Sequence, residues 1–170
     1  DGGQGARARL MTEGERQPSV REWIGAGCIA LLFFYLRFPL LHGDALLFGW
    51  NSDAGVFGLA GRRIHDGVNF PIFFWAQSYM GLLTSYISAA VGFVVGDPGP
   101  LALRLAASIE VLAGIILYWL GLRRAFDRAT ALIVAAWLAA GPWFLFHFTV
   151  APVGAEQAFF VGAILFWFVT

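Results

Sequence analysis

The stretch Gln77-Ser78-Tyr79-Met80-Gly81-Leu82-Leu83-Thr84-Ser85-Tyr86-Ile87-Ser88-Ala89-Ala90-Val91-Gly92-Phe93-Val94-Val95 decides how this chain is laid out, because by length alone it could be a complete membrane span. Gln77/Ser78, Gly81, Thr84/Ser85, Ser88 and Gly92 recur every three or four positions, so one helical face is small and polar. Tyr79, Leu82, Leu83, Tyr86, Ile87 and Val91 make the other face. A helix lying along the membrane interface has this pattern. A spanning helix that packs through its small face has it too.

The placement of positive charge separates the two readings. Apolar runs Leu101–Leu122 and Ala129–Val150 flank the short connection Arg123-Arg124-Ala125-Phe126-Asp127-Arg128, and the N-terminal tail is also Arg-containing. If 77–95 crossed the bilayer, tail and connection would lie on opposite sides, against the tendency of short basic segments to stay in the cytoplasm. If it does not cross, both are cytoplasmic. The sequence therefore predicts an interfacial helix over 77–95, in a long outer loop over 42–100 closed by the turn Gly96-Asp97-Pro98-Gly99-Pro100.

The rest of the chain is laid out around that loop. Residues 1–22 are Gly-, Arg- and Glu-rich without apolar periodicity and read as a polar tail, and 23–170 read as a transmembrane domain. Spans are predicted at 23–41, 101–122 and 129–150, with the start of another at 158–170. Trp23, Tyr35 and Arg37 sit near the ends of the first, where interfacial aromatics and snorkelling cations belong. The expected fold is all-α, a polytopic transmembrane helical bundle, truncated at Thr170. Met11 is a candidate start within a longer protein.

Composition agrees with that placement. Hydrophobic residues make up 59% of the 170 and charged ones 13%, and the mean hydropathy is +0.71. Soluble domains carry about 25% charged residues. All basic side chains are Arg, eleven against eleven acids, so no net field points to nucleic acid. The single Cys28 excludes an internal disulfide framework.

The candidate chemistry centres on Gly49-Trp50-Asn51-Ser52-Asp53-Ala54-Gly55, an acid just beyond a membrane-length run and at the head of a short helix predicted over 53–67. Asp53 can be a helix cap or a general base that takes a proton from a hydroxyl, and the two roles are compatible. Arg62 and Arg63, late on that helix, could grip a phosphate or face lipid headgroups. Glu156 follows the third run and, with an interfacial 77–95, shares the outer compartment with Asp53. Glu110 lies deep in an apolar run, where an acid faces a bundle interior, and Arg104, six residues earlier, is turned about 240° from it. His42, His65 and His147 lack metal-ligand spacing, so no metal site is expected among them. A divalent metal held by Asp53 and Glu156 has no supporting loop signature.

In order along the chain, Ser52-Asp53-Ala54-Gly55 through Arg62-Arg63-Ile64-His65-Asp66-Gly67, Trp75-Ala76-Gln77-Ser78-Tyr79-Met80-Gly81, Leu103-Arg104-Leu105, Arg123-Arg124-Ala125-Phe126 and Gly141-Pro142 resemble the N-terminal portion of GT-C-type membrane glycosyltransferases. That superfamily contains protein O-mannosyltransferases and lipid A aminoarabinose transferases, and the resemblance covers roughly residues 23–168. It implies a GT-C-like bundle in the cell's inner or plasma membrane with a cytoplasmic N-terminus. It also implies an inverting transfer of sugar from a polyprenyl-phosphate donor to an acceptor hydroxyl of protein, lipid or glycan at the extracytoplasmic face. Asp53 would be the base and Glu156 a second acid near the donor phosphate. Relatives carry Asp-Glu where this chain has Asp53-Ala54, and a basic residue with prolines where it has Gln77-Ser78-Tyr79. Gln77, Tyr79, Arg62 and Arg104 are then the donor- or phosphate-binding candidates. Rival readings are a transporter or flippase bundle with Glu110 as coupling acid, and a non-catalytic membrane subunit.

Overall fold

The computed structural model describes residues 18–42, 49–75 and 77–170. Helix α1 (Val20–Arg37) starts at a capping box: Ser19 Oγ accepts the Glu22 N–H, and the Glu22 carboxylate accepts the Ser19 N–H at 2.8 Å. The helix therefore begins inside the segment 1–22 predicted as tail, because this reciprocal cap satisfies two orphan donors at its first turn. A 3-10 turn, Phe38–Leu41, extends it, and Val20–Leu41 is long and apolar enough to cross a membrane.

Helix α2 (Ser52–His65) leads to a small antiparallel hairpin, β1 (Phe73–Phe74) with β2 (Gln77–Gly81), and then to α3 (Leu83–Val95). The helix expected over 77–95 thus begins at Leu83. Residues 77–81 are a strand, because their backbone finds a partner in Phe73–Phe74 and Gly81 is a poor helix residue. At 13 residues α3 is about 20 Å long, short of the roughly 30 Å hydrocarbon layer. Its small, polar face is turned into the protein: Thr84, Ser85, Ser88, Ala89 and Gly92 are buried, whereas Tyr86, Phe93 and Val94 are exposed. Ser85 Oγ donates to the Phe57 carbonyl at 2.9 Å, and the His65 ring stacks on Phe93 at 4.2 Å, so α2 and α3 run parallel.

Gly96, at φ 83°, ends α3, and Pro100 at the first turn of α4 (Pro100–Ala125) starts the second helix able to cross a membrane. It runs antiparallel to α1. Arg104 Nη1 donates to the Leu40 carbonyl at 3.0 Å, Trp23 meets Trp119 edge to face at 5.5 Å, and Arg123 Nε bonds Glu22 Oε1 at 2.8 Å. Arg128 stands 3.7 Å from the same carboxylate, so the start of α1 and the basic connection share one end of the bundle.

The predicted span 129–150 is two helices, α5 (Arg128–Ala140) and α6 (Trp143–Val150), set at 56° to each other. Gly141, at φ 90°, and Pro142 make the break, since proline cannot continue the α5 ladder. Arg37, buried at the end of α1, clamps it: Nη1 donates to the Phe33 and Ala139 carbonyls at 3.1 Å, and Nε to Thr149 Oγ1 at 3.2 Å. Its guanidinium also lies 3.7 Å over the Phe33 ring.

Helix α7 (Ala155–Val169) packs parallel along α4, with Phe159 over Gly114 and Phe166 over Gly121. A Cβ at Gly114 would fall 2.6 Å from Phe159, and one at Gly121 2.7 Å from Phe166. Gly114→Val is expected to lower stability by roughly 1–3 kcal/mol in detergent unfolding, because a branched side chain must displace the ring. An unchanged transition would contradict this packing.

Candidate functional site

Asn51 caps α2: its Oδ1 accepts the Ala54 N–H at 2.8 Å. Asp53, in the first turn, is left half-buried, with no hydrogen bond or ion pair among the described residues. No described residue occupies its lone pairs. Asp53 lies on the helix face of Phe57, Ala60 and Ile64, which is the buried one.

Arg62 is nine residues on, about 180° round and about 13.5 Å along the axis, so the two residues do not share a face. Arg62 instead lines a pocket of about 220 Å³ with Trp50, Gly58, Leu59, Pro98 and Pro100. Arg63 stands 5.3 Å over the Trp75 ring. Arg104 follows Leu103, which packs with Ala54, Phe57 and Leu82 on the buried side of α2. Gln77 and Tyr79 are on β2, and their side chains lie outside the described residues.

Glu156 is fully buried at the start of α7, where Oε2 accepts the Val153 N–H at 3.2 Å and Oε1 the Gly154 N–H at 3.1 Å. Thr84 Oγ1 reaches across from α3 and lies 3.1 Å from Glu156 Oε1 and 2.8 Å from Glu110 Oε2. Gln157 Nε2 donates to the same hydroxyl at 3.0 Å, while Gln157 Oε1 accepts the Leu83 N–H at 3.3 Å. That backbone N–H fixes which way the Gln157 amide points. Glu110 Oε1 is buried without a hydrogen-bond partner among the described residues.

Three helices therefore tie a polar knot of Thr84, Glu110, Glu156 and Gln157. The knot adjoins the Asp53 end of α2. Parallel pairing of α2 with α3 sets Phe57 beside Ser85, which places the first turn of α2 level with the start of α3, and a Cβ at Gly81 would meet Gln157 Oε1 at 3.3 Å. Glu110 faces the bundle interior, as expected of an acid in an apolar run, and α3 supplies its partner. Thr84 and Gln157 were not singled out, although a polar pair at a helix start and a hydroxyl on a small-residue face were both visible. Among the described residues no group of three or more His, Cys, Asp or Glu is gathered as a metal cage. Compared with protein-family models, with curated proteins and with solved structures, the chain matches none.

Proposed function

We propose that the chain acts in sugar transfer at a membrane, from a polyprenyl-phosphate donor to an acceptor hydroxyl, with Asp53 as general base. The observation that carries this reading is a carboxylate with no partner among the described residues: Asn51 does the capping, so Asp53 is spared that role while being held on a helix. Two helices long and apolar enough to cross a membrane suit a lipid-linked donor. The phosphate is already a good leaving group, so a positioned base and some charge stabilisation supply what the reaction needs. Holding donor and acceptor at one interface turns a dilute encounter into an oriented one.

Asp53 and Arg62 lie on different faces of α2, so in this reading Arg62 serves the separate pocket, while Arg104, 1% exposed and donating to the Leu40 carbonyl, is not placed to meet a phosphate. Glu156 supports the site from the buried knot. The shared end of the α1 start and the Arg123–Arg128 connection is assigned to the cytoplasm, and Asp53 to the extracytoplasmic half, in an inner or plasma membrane.

The test is the full-length protein in nanodiscs with a radiolabelled polyprenyl-phosphate sugar and hydroxyl acceptors of protein, lipid and glycan type. Release of polyprenyl phosphate with inverted configuration in the product is the expected result. Movement of intact lipid or solute across liposomes without bond cleavage would replace this reading by a carrier, which the buried Glu110 with its unpartnered oxygen favours.

A further inference from the structure

We propose that Glu110, Thr84 and Glu156 hold one exchangeable proton between them and form a proton relay across the α3–α4–α7 junction. The inference goes beyond sugar transfer and does not depend on it. It follows from counting hydrogens. A threonine hydroxyl has one hydrogen to give and two lone pairs. Gln157 Nε2 uses one lone pair, yet two carboxyl oxygens lie within hydrogen-bond distance of the same Oγ1, at 2.8 and 3.1 Å. Thr84 can donate to only one of them. The other contact is a hydrogen bond only when the carboxyl brings the hydrogen.

The surroundings say which acid brings it. Glu156 accepts two backbone N–H groups at a helix N-terminus, an environment built for an anion. Among the described residues Glu110 has no donor besides Thr84, and both acids are at most 1% exposed. The arrangement that satisfies every group at Thr84 is Glu110 Oε2–H to Thr84 Oγ1, and Thr84 O–H to Glu156 Oε1. In the relay step the Oε2–H bond of Glu110 breaks as a new O–H bond forms on Thr84. The original Thr84 hydrogen passes to Glu156 Oε1. Two hydrogens shift together, the net result is one proton passed from Glu110 to Glu156, Glu110 becomes the carboxylate and Glu156 the acid, and no other reactant is consumed. Glu110 Oε1 is buried and has no hydrogen-bond partner among the described residues, which leaves it able to accept a further hydrogen.

Of the other ionisable groups on the packed elements, Asp53 stands beside the relay, at the end of α2 that adjoins the knot. Tyr86 is the other titratable residue on α3 and is exposed; α7 has none besides Glu156. On α4, Arg104 bonds Leu40 and is turned about 240° away, Tyr118 packs on Phe159, and Arg123 and Arg124 lie at the far end. On α6, His147 stacks on Trp143, and Asp53 occupies the first turn of α2.

Infrared spectroscopy of the membrane-reconstituted protein at neutral pH, in buffer free of alkali-metal ions, tests the assignment. We expect one protonated-carboxyl carbonyl band per chain that shifts in D2O, is lost in Glu110→Gln and is unchanged in the surface control Asp66→Asn. Thr84→Val, which keeps the acid but removes its acceptor, should move the band to higher frequency without abolishing it. Absence of the band, its persistence in Glu110→Gln, an unmoved band in Thr84→Val, or its disappearance on adding sodium or potassium overturns the proposal. The last result would make the knot a cation site.

Discussion

On the proposed function, Asp53→Asn is expected to lower the rate of sugar transfer by about 10²–10⁴-fold, the contribution of a positioned general base. The substitution is close to isosteric and leaves the helix start untouched, because the Ala54 N–H is held by Asn51 and not by Asp53. The loss should fall on turnover rather than on donor binding, since an amide fills the same space but cannot accept the hydroxyl proton. Asn51→Ala is the complementary variant. It removes the cap and should cost roughly 0.5–2 kcal/mol of stability while leaving the base in place. A rate at the wild-type level in Asp53→Asn, measured with the lipid-linked donor, removes Asp53 from the mechanism and leaves it as a first-turn acid on α2.

The separation of cap from base shows where sequence reading stops. Asn51-Ser52-Asp53 announces a helix start because all three residues are good caps, and α2 does begin there. Which of the three caps depends on one backbone torsion pattern, with Asn51 extended at ψ 179°, and residue type alone does not determine that. Gly99-Pro100 marked the head of α4 for a local reason of the same kind, namely a fixed proline φ at a helix N-terminus.

Other signals were present and outweighed. Ser19-Val20-Arg21-Glu22 has capping-box spacing, yet the charge of its neighbours made the region read as tail. Gly141-Pro142 was readable as a break, but the apolar run on either side summed to one span. The hairpin over 73–81 was hidden because residues 77–81 continue a helical period that runs on through α3. A two-stranded pairing rests on backbone partners, which leave no periodicity in the sequence.

The polar knot was illegible for a different reason. The partners of Thr84 in it lie 26 to 73 residues away on two other helices, so no spacing on any single element announces it. What the sequence did show was the cost: an acid at Glu110, ten residues and about 15 Å into an apolar helix, requires a partner. The structure supplies a hydroxyl instead of a cation. That choice makes Thr84 the residue on which the junction turns.

Thr84→Val should therefore be among the most destabilising conservative substitutions in the chain. Valine matches threonine in shape and keeps the contacts of α3 with α4. It removes the one group that Glu110 Oε2 and Gln157 Nε2 both use. Each polar group left unsatisfied in a buried site costs about 1–3 kcal/mol, so for these two the expected loss is roughly 2–6 kcal/mol. Glu156 is spared part of the cost because two backbone N–H groups still serve it. The diagnostic comparison is the double variant Thr84→Val with Glu110→Leu. Once the acid that needed the hydroxyl is gone, an apolar pair fills the space between α3 and α4, and replacing both partners of a buried polar contact is often close to neutral. The double variant should unfold at a higher denaturant concentration than Thr84→Val alone, with a coupling of at least about 1 kcal/mol across the cycle. Losses that simply add would mean that Thr84 and Glu110 stabilise the bundle independently, and the hydroxyl would then not be the link that holds the two carboxyls together.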